Sequence, residues 1–298
     1  MGRLTVRVLG SAAGGGFPQW NCRCPVCALA WAGDARVKPR TQAGIAISAG
    51  HGWTLINASP DLGAQIRATP ALHPQSDARG SPIDAVVLTG AEIDQIAGLL
   101  SLREGTSFSL HATPASHAAV ASNAMFGALT AMTRRAVNPG ERFMLAGDIA
   151  ASLFTVPGKA PLYLEGEAPE TASESAGNVG VEFERAGARV VFVPGAAALS
   201  PAMLARFKQA DVILFDGTLF ADDEMLRLGL GSKTGRRMGH MPIDGADGSL
   251  AALQGLRARR IFIHINNSNP ILVEGSPERA KVEAAGWEVA EDGMEISL

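Results

Sequence analysis

Leu4, Val6 and Val8 alternate with Arg3, Thr5 and Arg7 near the start of the chain, the two-residue period of a strand with one buried face. "AGIAIS" and "WTLINAS" read as further strands joined by short turns, and a helix is expected near residues 62 to 68. "IDAVVL" is an apolar run that reads as a buried strand. "EIDQIAGLLSLRE", with Ile93, Ile96, Leu99 and Leu100 on one side, reads as an amphipathic helix. The pattern then predicts a helix around 115 to 129, strands near 142 to 156, and a hairpin "VGVEFERAGARVVFV" turned at Gly187; the polar segment 165 to 178 is expected to be a loop. In the final third helix and strand alternate: "PAMLARFKQA" then "DVILFD", and "SLAALQGLRAR" then "RIFIHI". Strand runs mixed with helices imply sheets covered by helical layers, an α/β (α+β) fold. No internal repeat is visible, and the 298 residues are expected to form a single domain, 1–298, with ample interior to bury.

Charge changes this picture little. The chain has 26 lysines and arginines against 29 acids, and its pI is about 6.1. That balance offers no electrostatic grip on nucleic acid or an anionic membrane, so a small molecule is the expected partner. No apolar run approaches a membrane span and the first residues lack the pattern of a secretory signal, so a soluble cytoplasmic protein with reduced thiols is expected. Hydrophobic residues make up 47% of the chain, enough for a homodimer interface as well as a core, although no segment marks one.

Two glycine and cysteine clusters follow the first strand. "GSAAGGGFPQW" lacks the helix start that a dinucleotide loop requires. All three cysteines, Cys22, Cys24 and Cys27, lie within "NCRCPVC", in the loop 21–28. An odd count in one short loop argues against a disulfide framework. Spacings of two and three residues let thiolates converge on a structural zinc, whose fourth ligand must then come from far along the chain. The alternative is three free thiols in a turn.

Other candidate ligands sit where strands end. Glu92 and Asp94 follow "VVLTG", Asp216 closes "VILFD", and His264 closes "RIFIHI". His240 lies in "RRMGHMPID", part of a loop, 221–244, that is expected to move. Singly, each has a structural reading as a cap or turn residue. Together, two histidines and three carboxylates at strand ends point to a metal site. Two imidazoles and one carboxylate on one face of a metal suit non-haem iron(II) that binds dioxygen and substrate together. Lys233, Arg236 and Arg237 are candidate clamps for substrate carboxylates, the plain reading being a solvated loop. His51, His73, His111 and His117 lack such a setting and are read as surface or core residues.

The order of a glycine-rich first turn, "VVLTGAEIDQIAGLL", "VVFVPGA", "DVILFDGT" and "RIFIHI" resembles the metallo-β-lactamase fold. The resemblance implies a four-layer αββα sandwich with a metal site at one edge. Six segments spread over nearly the whole chain, "NCRCPVC", "LINASPDLGAQI", "AGLLSLREG", "DGTLFADDEM", "KTGRRMGHMPI" and "HINNSNPIL", further resemble the pyrroloquinoline quinone biosynthesis protein B family. That implies an iron- and O2-dependent hydroxylation of the tyrosine ring in a Glu-Tyr unit taken from a precursor peptide, with a peptide or dipeptide as substrate. The active-site iron(II) would be held by Asp94, His240 and His264, with Asp216 and Glu92 as further donors. A carrier of pyrroloquinoline quinone or a precursor, related to its transport, and a metal-dependent phosphodiesterase or other hydrolase are the alternatives. The usual His-x-His-x-Asp-His run is replaced by Gly90, Glu92, Asp94 and Gln95, an expected acid by Pro194 and Gly195, and an expected aspartate by Asn57. Those departures argue against dinuclear hydrolysis. Phosphodiesterases of phosphonate breakdown with the same cysteine loop imply Asn267 as the fourth zinc ligand, with Asn266, Asn269 or water as substitutes.

Overall fold

The computed structural model describes residues 2–75, 78–104, 106–159, 161, 163 and 173–298. In chain order its strands are β1 (Thr5–Gly10), β2 (Gly44–Ser48), β3 (Trp53–Ile56), β4 (Ile83–Val87), β5 (Phe108–Ala112), β6 (Met132–Ala136), β7 (Arg142–Leu145), β8 (Ile149–Gly158), β9 (Ser173–Arg185), β10 (Ala188–Val193), β11 (Val212–Asp216), β12 (Arg259–Ile263), β13 (Trp287–Val289) and β14 (Glu295–Ser297). The helices are α1 (Pro25–Trp31), α2 (Leu62–Ala68), α3 (Ile93–Ile96), α4 (Pro114–Ala121), α5 (Pro201–Phe207), α6 (Glu224–Arg227), α7 (Ser249–Ala252) and α8 (Pro277–Ala284).

Two seven-stranded sheets result, ordered β14-β1-β2-β3-β4-β5-β6 and β13-β12-β11-β10-β9-β8-β7. Alternation decides how they stack. Val6 and Val8 of β1, Ile45 and Ile47 of β2, and Val87 of β4 meet Val181, Phe183, Val190, Phe192, Leu214 and Ile261 of the other sheet in one buried layer. The intervening residues face outward but are covered too. Leu55, Val86 and Leu110 pack against Leu62 of α2 and Val120 of α4; Val191, Ile213, Phe215 and Phe262 pack with Met203 and Phe207 of α5 and Val282 of α8. Central strands buried on both faces therefore read as continuous apolar runs, as "VVFV" and "VILF" do. The architecture is the αββα sandwich expected of the metallo-β-lactamase fold.

Several helices are shorter than the sequence pattern predicts, and tertiary contact explains the clearest case. The segment expected as one amphipathic helix from Glu92 is α-helical only over Ile93–Ile96 and continues as a 3₁₀ turn over Ala97–Leu102. Gly98 donates its N–H to Ala58 O (2.8 Å) instead of continuing the helix ladder, and a Cβ there would stand 2.0 Å from Ser59 O. Ile93, expected on the buried side, is 59% exposed. The helix expected around 115 to 129 ends at Ala121, and "SLAALQGLRAR" is helical only over Ser249–Ala252. The strand pattern near 142 to 156 divides into β7 and β8 around Gly147 (φ 74°) and Asp148 (φ 58°). The expected loop 165 to 178 is corrected at its end, where 173–178 belong to β9; residues 165–172 lie outside the described residues.

His111 on β5 is half-buried against Phe143, the rings stacked 4.9 Å apart, with Ser109 Oγ 2.9 Å from its Nε2. Burial, then the charges of Arg135 and His117, push its pKa down from 6.5 to about 4. The folded protein thus holds His111 neutral where the unfolded chain takes up a proton. Its contribution to stability is complete above about pH 6.5 and is lost as pH falls toward 4. Urea unfolding at pH 7 and pH 5 is expected to show the parent losing on the order of 1–2 kcal/mol more than His111→Phe; equal losses would refute this account.

Candidate metal centre

β10, β11 and β12 are parallel and in register, with Asp216 opposite Ile263, so the turns that follow them emerge at one edge. That edge receives Gly195 and Ala196 after β10, Asp216 to Thr218 at the end of β11, and His264 after β12. His264 turns out of its strand in the left-handed region, φ 59°. A β-branched or bulky residue pays a steric penalty there, and such conformations concentrate where a side chain must be aimed. From the other sheet, the turn after β4 brings Asp94.

Asp216 has no solvent exposure. Oδ2 accepts from Ala196 N (2.9 Å) and lies 2.8 Å from His240 Nδ1; Oδ1 accepts from Thr218 N (3.0 Å) and Thr218 Oγ1 (2.7 Å). Burial pushes this carboxyl up, but His240 and the hydroxyl of Thr218 more than reverse it and hold the acid below its ordinary range. With its acceptor positions occupied, Asp216 orients His240 and leaves His240 Nε2 for other work. Gly195 makes room for the ring, since a Cβ there would stand 3.1 Å from His240 Cε1.

His264 is set against Asp94, Nε2 to Oδ2 at 3.0 Å, while its Nδ1 lies 2.9 Å from Thr218 Oγ1. Burial alone lowers the His264 pKa, yet Asp94, Asp216 and Glu92 raise it on balance. Asp94 is raised by burial and lowered further by His264, then His240. The two imidazoles stack with centroids 5.2 Å apart. Thr218 therefore stands at the junction of both histidine pairs, 3.0 Å from His240 Nδ1. Sequence reading missed it, although "DGT" directly after a strand is a visible signal.

The structure separates the remaining sequence candidates. Glu92 lies on the pocket wall with Oε1 3.2 Å from Lys159 Nζ; Lys159, not singled out by the sequence, lines the same pocket with His240, His264 and Asn178. Gln95 accepts from Glu92 N (3.0 Å), and Asn57, at φ 64°, binds Thr89 through both ends of its amide, 2.9 Å each. Both amides are engaged within the protein, by backbone N–H and hydroxyl groups. The expected clamp is corrected at Arg236. Its guanidinium is engaged by Asp247 Oδ2 (2.6 Å) and Ala197 O (3.2 Å), pinning its own loop. Lys233 and Arg237 are not among the residues lining the pocket that holds His240 and His264.

The three cysteines converge, their sulfurs within 4.8 Å of one another. Cys24 Sγ caps α1 by accepting from Cys27 N (3.4 Å), and Cys22 Sγ accepts from Cys24 N (3.4 Å). The Asn267 amide lies over them, Nδ2 at 3.1, 3.8 and 3.3 Å from Cys22, Cys24 and Cys27. Asn266 and Asn269 are engaged elsewhere, with Ser268 Oγ (2.6 Å) and Gly217 O (2.9 Å). Burial pushes the Cys24 thiol up to about 12 and raises Cys27 as well. Cys24 and Cys27, buried thiols that resist ionisation, make a poor anion pair alone, and a bound cation reverses that preference. The three sulfurs fit zinc, and Asn267 could complete the set only through its amide oxygen.

The beta-lactamase superfamily domain model matches residues 52–265. Coenzyme PQQ synthesis protein B of Methylobacterium nodulans is 52% identical over 98% of this chain and 99% of that protein, and the protein of the same name from Rhizobium meliloti is 48% identical over 99% and 98%. The crystal structure of Zn(2+)-bound PqqB from Methylobacterium extorquens superposes with a TM-score of 0.97 at 49% identity, covering 99% of this chain and 100% of that one. A diphosphatase of the PhnP family, 20% identical with a TM-score of 0.70 over 99% of this chain and 97% of that one, shares the fold. On these grounds the chain belongs to the coenzyme PQQ synthesis protein B family of the β-lactamase superfamily.

Proposed function

We propose that this protein acts in pyrroloquinoline quinone biosynthesis as an iron-dependent oxygenase that hydroxylates the tyrosine ring of a Glu-Tyr unit derived from a precursor peptide. The observation that carries the reading is the convergence of His240 and His264 on one pocket, with Asp216 set against His240 and Asp94 against His264. Two imidazoles and a carboxylate suit iron(II), which when bound there supplies activation of dioxygen. Glu92 is left out of this set because its carboxylate is paired with Lys159, while Asp216, whose carboxylate lies with the ligand atoms of both histidines, orients His240.

The chain's own residues have distinct tasks in this proposal. Asp216 would orient His240 through Nδ1, leaving Nε2 as the atom that would hold the ion, and Thr218 Oγ1 sets the tilt of His264 from its Nδ1 side. Pro194 and Gly195 bring neutral backbone to the pocket wall instead of a further acid. Cys22, Cys24 and Cys27 hold a structural zinc, a reading supported by the Zn(2+)-bound relative, and Asn267 would serve as fourth ligand with its amide turned so that Oδ1 takes the place Nδ2 holds over the sulfurs.

Iron loaded anaerobically, followed by oxygen with a glutamyl-tyrosine peptide, is expected to yield a product heavier by one or two oxygen atoms, and His264→Ala to yield none. Oxygen uptake that is absent with iron bound would overturn the oxygenase reading in favour of a carrier; cleavage of generic phosphodiesters abolished by Asp94→Ala would favour a hydrolase.

Metal analysis is expected to find about two equivalents per chain, one zinc and one exchangeable ion. Cys24→Ser should lose the zinc and lower the Tm, because structural metal binding is coupled to folding. His264→Ala should lose only the exchangeable ion. Asp216→Asn should weaken pocket metal affinity by about 10–100-fold, the usual effect of removing a histidine's orienting carboxylate; unchanged affinity would count against its role.

A further inference from the structure

Lys159 and Glu92 form an ion pair on the wall of the pocket whose floor carries His240 and His264. They come from different sheets' turns, Lys159 directly after β8 and Glu92 ahead of α3. The lysine side chain is 14% exposed and the glutamate 32%. The lysine stem runs over Gly239, where a Cβ would stand 3.2 Å from Lys159 Cγ; that glycine has φ 91°, so the close approach depends on it. Besides the two histidines, the other described residues of the wall carry no charged side chain: they are Gln95, Asn178, Met238 and alanine, glycine and proline.

A wholly anionic ligand entering here gains Lys159 but meets Glu92, and a wholly cationic one meets the reverse. A ligand that carries an ammonium next to a carboxylate exchanges the internal pair for two intermolecular ones and strands neither charge. The two charges of the pair are 3.2 Å apart, and the nitrogen and nearer oxygen of an α-amino acid are separated by roughly 3 Å from standard bond lengths. We infer that Lys159 and Glu92 are specificity-determining residues that receive the α-amino-acid head group of the substrate, Lys159 its carboxylate and Glu92 its ammonium, with the substrate side chain directed toward His240 and His264. The inference rests on the proposed function for the choice of a tyrosine-containing substrate, and it makes a unit whose tyrosine carries its own ammonium and carboxylate the preferred form, glutamyl-tyrosine with its acylated tyrosine nitrogen binding as weakly as N-acetyl-L-tyrosine. It assigns Glu92 to substrate instead of metal.

Calorimetric titration of the metal-loaded protein without oxygen tests this, with L-tyrosine, N-acetyl-L-tyrosine and L-tyrosinamide as ligands. In the parent protein, blocking either end is expected to weaken binding by about ten- to a hundredfold, the range for hydrogen bonds between charged groups. In Lys159→Met the amide should lose its disadvantage while N-acetylation still weakens binding; in Glu92→Gln the pattern should invert, with metal content unchanged. Lys159→Arg should behave as the parent. Equal effects of blocking in all variants, no binding of L-tyrosine to the parent, or loss of a metal equivalent in Glu92→Gln would each overturn the assignment. Oxygen uptake is read separately, with L-tyrosine and with glutamyl-tyrosine at saturating concentration: failure on both with the crossed binding pattern intact would defeat the oxygenase and leave the receptor standing.

Discussion

A carboxylate without access to water, Asp216, ties the ends of two parallel strands and the loop that follows them together. Its two oxygens reach Ala196 beyond β10, Thr218 beyond its own strand, and His240 from the long loop that follows. A buried charge of this kind is tolerable only when its acceptor positions are filled, because an unsatisfied ion in an apolar setting costs several kcal/mol. Each hydrogen bond that satisfies Asp216 also fixes a group at the pocket. The demands of burial and the geometry of the histidines are thus met by the same contacts.

Thr218 extends that arrangement toward the other sheet. Its hydroxyl stands beside both imidazoles, and His264 reaches across to Asp94. The layer of aliphatic side chains between the sheets sets how far apart these turns lie. Close packing leaves such a layer little freedom to adjust, so the distance between Asp94 and His264 is a property of the core as much as of the site.

The turn after β12 serves two places at once. His264 begins it, Asn267 covers the cysteine sulfurs, and Asn269 bonds back to Gly217 O and Thr218 O. Ser268 is held by the buried Glu224 of α6 (2.5 Å), whose other oxygen accepts from Phe220 N (2.9 Å). Six residues therefore connect the cysteine loop, the pocket and the segment after β11. A disturbance of the cysteines has a short covalent route to His264.

Much of this was legible from the order of residues. Two-residue alternation marks β1, and continuous apolar runs mark β10 and β11. The clustering of Cys22, Cys24 and Cys27, and the position of Asp94, Asp216 and His264 just at or beyond strand ends, made them candidates before any contact was known. Local pattern carries such information because periodicity, caps and turns involve residues within a few positions of each other. It does not report which side chain satisfies which. The role of Asp216 as the partner of His240, the loss of Arg236 to Asp247, the pairing of Glu92 with Lys159 67 residues away, and the short α3 broken by Gly98 against Ser59 all depend on segments distant in sequence. The chain by itself determined the strands, the layers and the kinds of donor present; only the tertiary structure decided which donors were already engaged, because burial leaves no polar atom free to choose its partner locally.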